Sequence, residues 1–179
     1  PAIMDSRRIL ITGAGSGIGA ELAALLAAAG HEVIATDIDR AAALSVADAI
    51  VERGGAAVAY GLDVTQPSAV ETAMRAAGRV DVLVNNAGLQ HVARLEEFPA
   101  DRWALLVAVM LTGAANMTRA VLPGMRAGNF GRIVNIGSIH SLVASPFKSA
   151  YIAAKHGLIG LSKTLALENG DVDITVNTI

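Results

Sequence analysis

The 179-residue sequence contains no cysteine, which excludes a disulfide framework, a thiolate nucleophile and a thiolate-held metal. Aromatic residues amount to only 3%, a composition that suits Ala- and Gly-rich helices packed closely on a sheet better than an antiparallel sandwich. Charge of either sign is scarce and balanced. Fourteen Lys and Arg against sixteen Asp and Glu leave a net charge of -2, so there is no electrostatic footprint for nucleic acid or an anionic membrane. Four scattered histidines show no ligand spacing, and no metal is expected. Long apolar runs are also missing. The longest, around residues 22–29 and 103–111, fall well short of the roughly 18 to 20 residues that span a bilayer. Arg7 and Arg8 precede an apolar run that Thr12, Gly13 and Gly15 break after three residues, too soon for a secretory signal. A soluble, cytoplasmic chain is the expectation.

Apolar residues make up 53% of the chain, enough for a sizeable core and against disorder. The length allows one domain. Strand-like runs alternate with stretches of helical period. Strands are expected at residues 8–12, 32–37, 57–63, 80–85, 131–138 and 173–179, with helices at 19–29, 40–53, from 68 to near Gly78, 101–126 and 149–168. Gly54-Gly55 reads as a C-cap, and Ser68-Ala69-Val70-Glu71 as a capping box. The alternation predicts an α/β fold, a doubly wound, Rossmann-like parallel sheet with right-handed crossovers and helices on both faces. A single domain over 1–179 is expected. Such a sheet binds its ligands beyond the carboxyl ends of the strands.

Between the first strand and the first helix lies Thr12-Gly13-Ala14-Gly15-Ser16-Gly17-Ile18-Gly19. Glycines there let the backbone turn tightly and approach a pyrophosphate, whose charge rests on helix N-terminal amides. The spacing is G-x-x-x-G-x-G. Asp37, 24 residues after Gly13 at the end of the second strand, can accept both adenosine-ribose hydroxyls and would repel a 2′-phosphate. No Lys or Arg lies in the glycine loop, although Arg40 is near. NAD is the expected cofactor.

Tyr151 and Lys155, four apart at the start of a helix, project from one face. Ser138 is expected at the end of the fifth strand. An ammonium beside a phenol lowers a pKa normally near 10. That Tyr can take a hydroxyl proton as hydride leaves, while the Ser hydroxyl steadies the alcohol or carbonyl oxygen.

Taken together, the glycine loop, Asn85-Asn86-Ala87-Gly88, and Ser138 with Tyr151-x-x-x-Lys155 resemble the short-chain dehydrogenase/reductase family over the whole chain. The resemblance implies that Gly13, Ser16, Gly17, Ile18, Gly19 and Asp37 hold the cofactor. It also puts Asp63 and Val64 at the adenine, Asn85 and Gly88 in the cofactor cleft, and Lys155 on the nicotinamide ribose as well as beside Tyr151. A narrower likeness covers residues 88–93 and 138–151, which are similar to D-3-hydroxybutyrate dehydrogenases. There the matching Gln, His and Lys hold the substrate carboxylate, which implies that role for Gln90, His140 and Lys148. One charge and two donors suit a small carboxylate placed beside Ser138 and Tyr151. A related reductase acting on 3-oxoacyl or steroid-like substrates is the alternative enzyme, and a dinucleotide-binding module without catalysis the alternative class.

Two departures from the family pattern stand out. Met110 occupies the place of an Asn that, in the family, holds a water in a proton relay from the Lys to solvent. A thioether is at most a weak acceptor and donates nothing, so reduced turnover is expected, with Asn116 further along the helix as a conceivable substitute. The family pattern also continues past a strand like residues 174–179 into a substrate lid and a last strand. The sequence is therefore expected to be a fragment or a shortened chain. The helices at 101–126 and 149–168 resemble those that pair across the family's dimer interface, and a homodimer or homotetramer is expected.

Overall fold

A computed structural model describes residues 6–179. Six strands form one parallel sheet: β1 (Arg8–Thr12), β2 (Glu32–Asp37), β3 (Ala56–Gly61), β4 (Val82–Asn85), β5 (Gly131–Asn135) and β6 (Ile174–Thr178). Their spatial order is β3-β2-β1-β4-β5-β6. The chain winds outward in one direction from β1 to β3, then crosses back to β4 and winds the other way. The expected α/β sheet is thereby present, with its switch point between β1 and β4.

Alternation along β1 separates the two cores. Ile9 and Ile11 join the cluster holding Ala23, Ala27 and Ile50, the buried faces of α1 (Gly17–Ala28) and α2 (Arg40–Glu52). Leu10 joins the opposite cluster with Val70 of α3 (Pro67–Ala77) and Met117, Val121 and Met125 of α5 (Gly113–Ala127). Each fully buried Leu or Ile of this kind contributes about 1.5–3 kcal/mol of transfer free energy.

Local sequence accounts for most element ends. Gly54 (φ 83°) follows α2, its amide donating to Val51 and that of Gly55 to Ile50, which is the paired bonding of a left-handed helix stop. The capping box expected at Ser68 does not form. Pro67 starts α3 with Gln66 as N-cap, so Ser68 already lies inside the first turn. The single helix expected over 101–126 is α4 (Ala100–Val107) and α5, joined by a π-helical turn at Ala108–Thr112. The wider turn offsets the apolar stripes on either side of it. Leu106 and Met110 face Phe98, Ala150 and Ala154, whereas Met117 and Val121 face the sheet. Across its turn, the Ala100–Ala127 stretch is long and apolar enough to cross a membrane by length and composition, unlike the short runs read from sequence. Much of its apolar surface is core.

Helix α6 (Ser149–Glu168) occupies the span expected for it and is pinned to α4 where Trp103 Nε1 donates to Ser149 Oγ at 3.2 Å. A polar chain runs under it. Asn85 Nδ2 donates to Asn135 Oδ1 (2.8 Å), Asn135 Nδ2 to Ser162 Oγ (2.8 Å), and Ser162 shares a hydrogen bond with Thr178 (2.7 Å). Four side chains thus link β4, β5, α6 and β6.

Candidate active site

Residues 13–16 cross the carboxyl end of the sheet at its switch point. Buried Thr12 anchors them: its Oγ1 accepts the amides of Asn86 and Ala87 at 3.0 Å each. Asn86 Nδ2 in turn donates to the carbonyls of Thr12 and Gly13. The segment after β4 therefore holds the glycine loop in shape. Asp37 holds it from the other side, accepting the Gly15 amide on Oδ2 at 2.9 Å and the Asp39 amide on Oδ1 at 3.0 Å. A Cβ on Gly15 would stand 2.7 Å from Ala42 Cβ and 2.9 Å from that carboxylate oxygen, so glycine is what permits the approach.

A cleft of about 530 Å³ opens over this loop, within the ordinary range of ligand sites. Gly13, Ser16, Ile18 and Asp37 line one flank, and Asp63, Val64 and Gly88 line further wall. Gly17 and Gly19 open α1, whose N-cap Ser16 makes no side-chain cap, leaving first-turn amides for an anionic ligand. Asn116 Nδ2 fixes Val64 by donating to its carbonyl at 3.0 Å. That bond commits Asn116 to the cleft wall and away from the relay place it was considered for. Asn85 is buried in the polar chain, and it is Asn86 that faces the cleft. Uncapped helix amides, a glycine cradle and a rim carboxylate fit the pyrophosphate and adenosine ribose of a dinucleotide.

The second group of expected residues lies beyond β5 and on α6. Lys155 is 5% exposed. Its Nζ donates to the Ile136 carbonyl at 2.5 Å and stands 5.5 Å from the centroid of the half-buried Tyr151 ring. Burial holds the Lys155 pKa below the ordinary 10.5, because desolvation penalises the ammonium. Ser138, expected at the end of β5, lies beyond it, because the strand stops at Asn135. Ser138 instead caps a short 3₁₀ turn (Ile139–Ser141), its Oγ accepting the His140 amide while its own amide donates to Ser141 Oγ. That cap sets His140, whose ring meets Tyr151 edge-on at 6.2 Å. Ser138, His140, Tyr151 and Lys155 are thereby linked in one chain of neighbours. Lys148 sits at the N-cap position of α6. Exposed Gln90 holds the His91 amide on its Oε1. Their two loops meet where the Ala93 amide donates to the Phe147 carbonyl at 2.9 Å.

Buried Met110, from the π turn, shares a cavity of about 10 Å³ with Thr12, Asn85 and Lys155. That is the room of about one water. Sequence reasoning had passed over Thr12 and Asn86 as supports of the loop. Their signal was present in the adjacency of Thr12 to Gly13 and in the doubled Asn before Ala87-Gly88.

The short chain dehydrogenase family model matches residues 7–179. D-beta-hydroxybutyrate dehydrogenase of Cupriavidus necator is 42% identical over 181 residues, spanning 99% of this chain and 70% of that protein. The enzyme of the same name from Rhizobium meliloti is 41% identical, spanning 97% and 70%. Among solved structures, a gluconate 5-dehydrogenase from Burkholderia cenocepacia in complex with NADP and tartrate superimposes with a TM-score of 0.93 at 36% identity, over 98% of this chain and 70% of that one. With sheet order, glycine loop and sequence in agreement, the chain belongs to the short chain dehydrogenase family, as a nicotinamide-dinucleotide oxidoreductase similar to 3-hydroxybutyrate dehydrogenases.

Proposed function

We propose that this protein catalyses reversible, NAD-linked oxidation of a small 3-hydroxy acid such as 3-hydroxybutyrate. The observation that carries the reading is the line of neighbours from Lys155 through Tyr151 to His140, capped by Ser138, beside a dinucleotide-sized cleft. The chemistry that a bound nicotinamide supplies is acceptance of hydride in oxidation and its return in reduction. Tyr151, as phenolate, takes the hydroxyl proton of the substrate. Lys155 favours that phenolate through its charge and reaches the nicotinamide ribose. Ser138 donates to the substrate oxygen. Lys148 supplies the charge that attracts the carboxylate, and Gln90 and His140 supply hydrogen bonds to it. Gly13, Ser16, Gly17, Ile18 and Gly19 cradle the pyrophosphate, with Asp63, Val64 and Gly88 as further cofactor contacts and Asn86 in the place expected of Asn85. The same reading keeps the cytoplasm as the expected compartment.

Asp37 supports NAD over NADP. Its carboxylate, oriented by the Gly15 and Asp39 amides, stands where a 2′-phosphate would meet like charge. Titration with NADH and NADPH by nicotinamide fluorescence tests this. NADH is expected to bind more tightly, and Asp37→Ala to narrow the ratio by about tenfold, the worth of one charge-assisted hydrogen bond. An NADPH preference, with turnover of a 3-oxoacyl thioester and none of 3-hydroxybutyrate, would establish the reductase reading instead.

A second copy of the chain is the proposed partner. Between α5 and α6 lies an apolar groove of about 520 Å³ lined by Leu122, Pro123, Leu161 and Leu165, with Arg119 and Glu168 also on its walls. A two-fold pairing can set the Arg of one copy against the Glu of the other.

A further inference from the structure

Among the described residues outside glycine, two have positive φ: Asn129 (48°) and Phe147 (69°). Asn adopts this region readily, its short amide hydrogen-bonding to the local backbone. A Phe there is an outlier, because its Cβ crowds the following carbonyl. Burial does not hold it, since Phe147 is 45% exposed. Phe147 follows Pro146 in a turn, a place where positive φ occurs, and the loop after β4 braces that turn with a pair of contacts. The Ala93 amide donates to the Phe147 carbonyl at 2.9 Å, and the Arg94 guanidinium lies over the Phe147 ring, 5.4 Å from its centroid. Immediately after the strained residue comes Lys148, whose carbonyl accepts the Ile152 amide in the first turn of α6. Three residues before Ala93 comes Gln90.

We infer that Arg94 and Phe147 form a clasp that positions Gln90 and Lys148 against each other, and so sets the fit of the site to a small carboxylate. The inference rests on the proposed function, which gives Gln90 and Lys148 that substrate group. In the clasp the cation is drawn to the ring face, and the ring sits in the left-handed conformation that turns the chain from the loop into α6. Without the guanidinium the ring loses its one charged contact, the Ala93 bond alone braces the turn, and the backbone relaxes more readily toward negative φ. The relaxation rotates the Phe147 carbonyl away from Ala93 and moves Lys148 relative to Gln90. Phe147 and Arg94 are positioning residues. They act through Lys148 and Gln90 and touch no reacting atom.

Two readouts test the clasp on the full chain. The first is hydrogen exchange at the Ala93 amide, which needs no substrate. Protection is expected to fall about tenfold in Arg94→Ala and in Phe147→Ala, by the equivalence of 1.4 kcal/mol to a factor of ten, and to be kept in Phe147→Tyr. The second is steady-state oxidation of 3-hydroxybutyrate with NAD. Both Ala variants are expected to raise KM for the hydroxy acid about tenfold, again by that equivalence, with kcat and the NADH Kd near parental values and Phe147→Tyr close to parent. Unchanged exchange, or lost protection with an unchanged KM, overturns the clasp. Lys148→Ala separates this from failure of the underlying reading. If Lys148→Ala raises KM and Arg94→Ala does not, the clasp is wrong and the carboxylate assignment stands. If Lys148→Ala leaves KM unchanged, or the parent does not oxidise 3-hydroxybutyrate, the carboxylate assignment fails and the clasp's positioning role fails with it, even where exchange shows the contact.

Discussion

Under the proposed function, Tyr151 and Lys155 on α6 divide one task between a half-buried phenol and a buried ammonium. In the proposed reaction the phenol alone exchanges a proton with substrate. Tyr151→Phe is therefore expected to lower kcat by about 10²–10⁴-fold, the range for a positioned acid–base group. Nicotinamide fluorescence should find NADH still bound, and turnover comparable to the parent would remove Tyr151 from the chemistry. Lys155 makes a prediction of its own about pH. Burial lowers its folded-state pKa below the 10.5 it has when unfolded. Between those values the unfolded chain binds more protons, so the lysine's contribution to stability rises with pH. Urea midpoints of the parent, compared with Lys155→Met at the same pH, should improve through that alkaline window; a parallel pair of curves would refute the effect. The nearness of Tyr151 to Lys155 was legible in the sequence because a spacing of four on a helix is geometry. The placement of Ser138 was less so. Where β5 stops depends on its pairing with β6, a contact 43 residues away that local pattern does not carry.

At the scale of elements, α6 was legible at both ends, since Pro146 stands before it, Asn169-Gly170 follows it, and no proline lies between Ser149 and Glu168. The π turn between α4 and α5 was not, because an i→i+5 bond pattern has no compositional signature and the stretch reads as one helix. The consequence for chemistry lies at Met110, which the turn presses against the small cavity shared with Lys155. A thioether donates nothing to a water there. Met110→Asn supplies a donor and an acceptor at that wall and is expected to raise kcat with little change in KM. Stopped-flow measurement of the proton-coupled step, with a solvent isotope comparison, checks the outcome. Unchanged rates would show that proton exit does not pass this wall. The misread capping box belongs to the same scale. Pro67, favoured at the first helical position, claimed the helix start two residues before the Ser68 pattern would have placed it.

For the molecule as a whole, the order β3-β2-β1-β4-β5-β6 assembles residues from 13 to 155 at one rim of the sheet. That order was readable as a class from the alternation of strands and helices, whereas the meeting of Ala93 with Phe147 was not. Loop-to-loop contacts follow from where the sheet sets the loops down, and no periodic pattern marks them. Assembly gives a prediction at this scale. Leu165→Glu places a carboxylate in the apolar groove between α5 and α6, where pairing of two copies would desolvate it. Light scattering at micromolar concentration is expected to give a dimer or tetramer for the parent and a monomer for the variant. A monomeric parent would dismiss the groove as an interface.

The linked side chains Asn85, Asn135, Ser162 and Thr178 also give the sheet a means of proofreading its own construction. A one-residue slip of β6 already turns Ile174 and Val176 out of the core. The amides and hydroxyls add a second penalty. If β6 joined β5 one residue out of step, Thr178 would turn to the opposite face. Ser162 would lose that partner in a buried site, a loss of about 1–3 kcal/mol. An error in β6 is thus felt at Ser162 and along a line of side chains that ends at Asn85, two strands away, and the sheet favours β6 in register.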